Sequence, residues 1–439
     1  MTEHKKLKQR IRARMDKTGE SYTSARRQVV GVEEGTGTRV GIDADTSALS
    51  RILADSGVTG PTGPLSEALI LGIGGGLGAG YILWEFSPET DRKSSHHSDS
   101  HRRVVVTGFR NRWQYPDRWV DTVLDRLGVP FRREQTGSTA KAGQQLDEAL
   151  ASGKSVMTDI SVADMPYWHM PSVEAGWSGY PVAVTGVESG RYVIDDRNEG
   201  KLTVDSGALA IARDRIPSYK NRIVMIEESQ ELGIAAVAEA LEAGLGDAVD
   251  HLGSNSASFS LPAFKKWGRM VTSDAAKGWR AVFSDRVGLW SALRSTHESV
   301  SDSGIFGGSL RPLFAEFLEE AASTLVRPDL AELAGLYREA AGAWDDVGDA
   351  TFPDGFEPMR EAAELAGLRR RAVRRGDAGD ADAAAAAAAL NALGDEFDSG
   401  LPLSDAEVDD VFESMSAAIE TAYEAEMAAH AALSEVIER

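Results

Sequence analysis

Short runs of β-branched and aromatic residues recur along this chain as far as Ile226 and then stop. That one change restricts the possible folds more than any other feature. Before it, strand-like runs fall at 104–106, 131–135, 156–160, 181–187, 191–194, 201–204 and 223–226. Between them, apolar residues recur at helical spacing. Leu49, Ile52 and Leu53 share a face over 46–56, as do Trp119, Val120, Val123, Leu124 and Leu127 over 117–127. A third helix is predicted over 140–151. Gly57, Gly128 and Gly153 stand where helix ends commonly need a left-handed residue. The run around Glu188-Ser189-Gly190 reads as a hairpin turn, so the later part of the sheet is expected to be antiparallel.

After Glu228, Ala, Leu and Glu dominate and only helical periodicity remains, over 231–250, 261–272, 284–300, 310–325, 328–346, 355–374 and 404–438. Ser404 with Glu407 forms a capping box ahead of the last helix. The expected organisation is a basic helical arm over 1–30, an α/β domain over 31–228 and an all-α domain over 229–439. The last would carry a low-complexity connector near 374–401, whose alanine run extends a helix. A chain of 439 residues has room for two or three domains.

The glycines at 72, 74, 75, 76, 78 and 80 invite three functional readings, and the residues around them oppose each one. No Gly-Lys-Ser/Thr follows, so the run is not a phosphate-binding P-loop. No βαβ unit surrounds it, as a dinucleotide fingerprint requires. Residues 68–84 carry no charge, yet they are too short and too rich in glycine to drive membrane insertion. A tight turn with close backbone approach is the expectation.

Cysteine is absent, which removes disulfides, thiolate metal sites and thiol nucleophiles together. The net charge of −21 opposes nucleic-acid binding by the chain as a whole and suits either simple solubility or a salt-rich cytoplasm. The first thirty residues are basic and polar with no apolar secretory core, so a cytoplasmic location is expected. In that stretch Leu7, Ile11 and Met15 share one helical face. His96, His97 and His101 lie in a polar loop without a second ligand set, and the eight histidines form no HExxH pair, so neither a metal nor another cofactor is expected.

The ordered segments DTSALSRILADSGV, LSEALILGIGGGLGAGY, WVDTVLDRLGVP, TGSTAKAGQQLDEALASGKSVM and GYPVAVTGVESGRYVIDDR, followed by KGWRAVF, FGGSLRPLFAEFLEEAA and LSDAEVDDVFESM, resemble the butirosin-biosynthesis acyltransferase H family. The resemblance implies an α+β, papain-like (cysteine-peptidase-like) N-terminal domain followed by a helical domain, and acyl transfer from a carrier-protein thioester to an amine. Its site would hold a nucleophile at a helix N-terminus, a His base on a strand and an orienting acid.

Two of those three roles are missing here. Ala44 falls where the family has its Cys and Tyr180 where it has its His, while Asp196 matches the acid. Ala44 has no nucleophilic atom, and a Tyr is a poor base at neutral pH. Thr46 and Ser47, at the start of the same helix, are the remaining hydroxyl candidates, although helix capping is the common use of such residues. His169, in MPYWHMP, is the remaining base candidate, or else part of an aromatic loop over the cleft mouth. Asp196 beside Arg197 also reads as a structural ion pair. Whether the protein is an enzyme stays open between three readings. The first is a degenerate family member that binds an acyl or peptide ligand, or a carrier protein, without turnover. The second is an acyltransferase with a displaced Ser/Thr nucleophile. The third is a scaffold that self-associates through its helical domain.

Overall fold

The computed structural model describes residue 14, residue 17 and residues 41–86, 102–301 and 304–438. The expected basic arm, apart from those two positions, and the His96, His97 and His101 cluster lie outside the described residues.

The first described helix, α1 (Ala44–Asp55), starts where Asp43 accepts a hydrogen bond from the Thr46 N–H at 3.1 Å. It buries Leu49, Ile52 and Leu53 and stops at Gly57, which has φ +75°. Two-residue β1 (Val58–Thr59) precedes α2 (Glu67–Ile73), whose cap is Ser66, bonded to the Leu69 N–H at 3.0 Å. The chain then reverses through Gly75 (φ +92°) and Gly76 (φ +64°). Side-chain-free backbone is needed earlier too: a Cβ on Gly72 would lie 2.0 Å from the Phe317 ring. The expected close approach is therefore present. Beyond it, Leu77–Phe86 forms strand β2, which pairs antiparallel with β3 (Arg102–Arg110) as a separate ribbon. Periodicity pointed only to 104–106 and missed β2. Its buried first half, Leu77–Tyr81, alternates glycine with apolar residues and so shows no apolar–polar alternation to betray a strand.

Helix α3 (Pro116–Leu127) ends on left-handed Gly128. Strand β4 (Phe131–Glu134), α4 (Thr139–Ala151), β5 (Val156–Ser161), β6 (Gly179–Glu188), β7 (Arg191–Asp195), β8 (Leu202–Val204) and β9 (Ile223–Ile226) follow. They form one six-stranded sheet, ordered β4-β9-β5-β6-β7-β8, in which every pair is antiparallel. The β6–β7 turn uses positive φ at Ser189 and Gly190. A further helix, α5 (Ser206–Asp214), escaped the sequence reading because its two turns are too short for a clear period; its one signal was Asp205, which caps it by accepting from Gly207 N–H at 2.8 Å. Helix α1 lies across β6, so the start of α1 faces the middle of the sheet.

A last short strand, β10 (Gln230–Glu231), pairs parallel with β1. From there the chain is helical: α6 (Ile234–Gly253), α7 (Pro262–Val271), α8 (Trp279–Val282), α9 (Leu289–Val300), α10 (Arg311–Leu325), α11 (Pro328–Asp349), α12 (Glu357–Arg374), α13 (Asp380–Phe397) and α14 (Asp405–Ile437). The alanine run of the connector is α13, and the capping box on α14 is formed from both sides. One apolar core joins Leu49, Ile52 and Trp119 to Leu241, Trp267, Phe314 and Met415, so the helices pack directly on the first part of the α/β half. Within it, the buried Arg311 guanidinium pairs with Glu426, which also accepts from Trp344 Nε1 at 2.7 Å, and Arg311 reaches back to the Gly78 carbonyl at 3.2 Å. Among the described residues no helix is long and apolar enough to cross a membrane.

Candidate functional site

A helix N-terminus concentrates unsatisfied N–H groups and partial positive charge, which is why reactive or anionic groups are placed there. At the head of α1 that pole is occupied by the chain's own carboxylates. Asp43 caps Thr46, and Glu67, from the start of α2, accepts from the Ile42 N–H at 2.9 Å and the Asp43 N–H at 2.7 Å. Thr46 Oγ1 donates to Glu67 Oε1 at 2.7 Å. Burial pushes both carboxyl groups up from their ordinary range; Asp45 adds to the effect at Asp43, and the hydrogen bonds at Glu67 only partly oppose it.

Ala44 opens the helix and is buried in one apolar cluster with Tyr167, Trp168, Tyr180 and Ile305. Tyr180 reaches this cluster from β6, where it pairs with Ile160 of β5. Its hydroxyl donates to Asp196 Oδ2 at 2.6 Å and accepts from Trp168 Nε1 at 2.7 Å. Asp196, just past the end of β7, also accepts from Tyr167 OH at 2.9 Å and Trp168 Nε1 at 3.2 Å. Its other oxygen takes Arg197 Nη2 at 2.7 Å and Nε at 3.1 Å. Burial and the neighbouring Asp196 charge drive the Tyr180 and Tyr167 phenols well above their ordinary value, so both hold their protons. Tyr180 is thus an even poorer base than an isolated tyrosine.

The helical half closes the top of this cluster. Residues 304–308 cross it, with Phe306 edge-on to the Tyr180 ring at 6.1 Å. Arg197 Nη1 donates to the Ile305 carbonyl at 2.7 Å, and a Cβ on Gly307 would lie 2.5 Å from the Ile42 carbonyl. The arrangement can therefore hold protons and charges in fixed places, but Ala44 offers no atom to attack a carbonyl.

The structure brings Ala44, Thr46, Tyr180 and Asp196 together at the head of α1. Thr46 is completely buried and tied to two carboxylates. Ser47 is half-buried one residue on, its N–H bonded to the Asp43 carbonyl at 3.0 Å. His169 is not part of the group. It sits in a left-handed turn (φ 48°), and its Nε2 lies 2.9 Å from Asp380 of α13 at the protein surface. The aromatic segment before it, expected over the cleft mouth, instead sends Tyr167 and Trp168 into the interior. Reading from sequence missed four contributors: Glu67, Tyr167, Trp168 and the 304–308 segment. Only Glu67 had a usable signal, its place in the Leu-Ser-Glu start of α2.

These features define a protein class: a mixed helix-and-sheet unit with a helical C-terminal region and a closed polar cluster where its first helix meets its sheet. Residues 43–197 match the family described as butirosin biosynthesis protein H, N-terminal. The match opens on the helix cap Asp43 and closes on Arg197 of the ion pair, so it spans the site's contributors from the α/β half but not residues 304–308. No curated protein matches the chain.

Proposed function

We propose that the α/β half is a papain-like acyltransferase domain that has lost its thiol chemistry and now binds an acyl or peptide ligand, or a carrier protein, without turnover. One observation carries this reading: where the family resemblance implies a histidine oriented by an acid, Tyr180 and Asp196 share a hydrogen bond of 2.6 Å that Trp168 completes, opposite an alanine. Reactive sites are where buried groups tend to be left strained or unsatisfied, so the mutual satisfaction of Tyr180, Trp168 and Asp196 supports a loss of reactivity. The same reading divides the chain near residue 228, with the helical half serving as cover for the site and as the surface for a partner or a second copy.

The test is intact-protein mass after exposure to acyl thioesters, comparing wild type with the A44C/Y180H double variant. The double variant is expected to gain one acyl group on residue 44, and wild type none. A folded double variant that stays unlabelled would remove the assignment of the site.

A displaced nucleophile has one observation in its favour, the 2.7 Å contact between Thr46 Oγ1 and Glu67. Against it, both groups are buried and Glu67 already holds two backbone N–H groups. An adduct on Thr46 of the wild-type protein in the same assay would replace the binding reading with this one.

A further inference from the structure

Helix α12 sends two arginines towards the closed site, and among the described residues neither has a carboxylate within ion-pair distance. Arg369 is 2 % exposed and Arg370 6 % exposed. The Arg369 guanidinium lies 5.8 Å from the Trp168 ring, and its Nε has no hydrogen-bond partner. Arg370 Nη1 reaches the Ile305 carbonyl at 3.3 Å, the same carbonyl that Arg197 holds, and its Nε is also without a partner.

Among the described residues the nearby carboxylates are already engaged. Asp196 is paired with Arg197, and Glu298 with Arg294, at 3.1 Å; Glu174 lies 3.9 Å from Arg294. The charges that act most strongly on Arg370 are the like charges of Arg197 and Arg374, which Asp196 opposes. Burial, reinforced by that repulsion, lowers the Arg370 pKa to about 9; burial lowers that of Arg369 as well, with the charges of Glu298 and Glu174 only partly opposing it. Buried guanidinium groups left without an anion are costly and therefore uncommon, and their planar fork matches a two-oxygen acceptor. Ala372 and Val373 of the same helix belong to the buried cluster that contains Ala44 and Tyr180, so the two arginines border the site.

We infer that Arg369 and Arg370 form the receptor for a small oxyanion, a carboxylate or a phosphate group, that enters the Ala44–Tyr180 site beneath residues 304–308. This rests on the binding reading above and deepens it. The anionic group would be the acidic end of an acyl or peptide ligand, or the phosphate of a carrier arm. It would accept from the unpaired N–H groups and complete the charge balance of the site.

Isothermal titration of the full chain with sodium acetate and, separately, with sodium phosphate at constant ionic strength tests this. Wild type is expected to bind one of them saturably. R369Q and R370Q are expected to bind at least about tenfold more weakly, the loss of a charge-assisted contact, and R338Q, at an exposed ion pair with Glu319, to bind as wild type does. Tighter acetate binding assigns a carboxylate ligand, and tighter phosphate binding a phosphate. Thermal melting without added anion supplies a second reading. R370Q removes an unpaired buried cation, so it is expected to melt at or above wild type. Overturning results are no saturable binding of either anion, equal affinity in R370Q and R338Q, or an R370Q melting point well below wild type. Acylation of A44C/Y180H without anion binding would leave the acyl site standing and remove only the oxyanion receptor.

Discussion

Asp196→Asn probes the centre of the site without changing its shape. The carboxylate accepts from Tyr180, Tyr167 and Trp168 on one oxygen and twice from Arg197 on the other. An asparagine has one acceptor oxygen and one donor group in the same space. If its oxygen faces Arg197, its NH2 meets the indole N–H of Trp168, which cannot reverse its polarity as a hydroxyl can. If its oxygen faces Trp168, its NH2 meets two guanidinium N–H groups. In either case Arg197, itself buried, loses its counter-charge. Removing one partner of a buried ion pair costs about 3–5 kcal/mol, and no cavity contributes here, so the whole loss is electrostatic. Equilibrium unfolding in guanidinium chloride, followed by tryptophan fluorescence, measures it. The D196N/R197M double variant, which removes both charges, is expected to lose less than D196N alone. A D196N protein within about 1 kcal/mol of wild type would mean that Arg197 is solvated or neutralised by another group, contrary to the buried pair of Asp196 and Arg197.

Two further outcomes follow from the same geometry. Glu67 has a folded-state pKa raised by burial, so the native state binds its proton more readily than the unfolded chain does. Its contribution to stability is therefore unfavourable at neutral pH and is relieved as pH falls through the raised value towards the ordinary glutamate range. The stability difference, wild type minus E67Q, should rise as pH is lowered through that window, and a difference that is flat or falls would contradict the burial. Gly72→Ala would place a methyl 2.0 Å from the ring of the fully buried Phe317. Overpacking should outweigh the better helix propensity and destabilise by at least about 2 kcal/mol, whereas Gly335→Ala, with open space at an exposed helical position, should gain roughly 0.5–1 kcal/mol in the same unfolding assay.

Much of the architecture was legible because it is local. A helix writes a 3.6-residue period and a hairpin writes a turn, so α1, α3, the β6–β7 hairpin and the long helices after residue 228 all follow from neighbours in the chain. The loss of reactive groups was equally plain, because an alanine has no nucleophilic atom in any fold. By itself the sequence determined these elements, the absence of cysteine and the chemical poverty of position 44.

Only the tertiary structure decided what replaced that chemistry. The contacts that close the site join Thr46 to Glu67, Trp168 and Tyr180 to Asp196, Ile305 to Arg197, and Arg370 to Ile305. Most of these pairs are far apart in the chain, and Asp380, which holds His169 away from the site, is more distant still. No periodicity encodes such pairs. They are settled by which buried donors and acceptors can satisfy one another once the helices have packed over the sheet, and that is a property of the assembled interior rather than of any stretch of the chain.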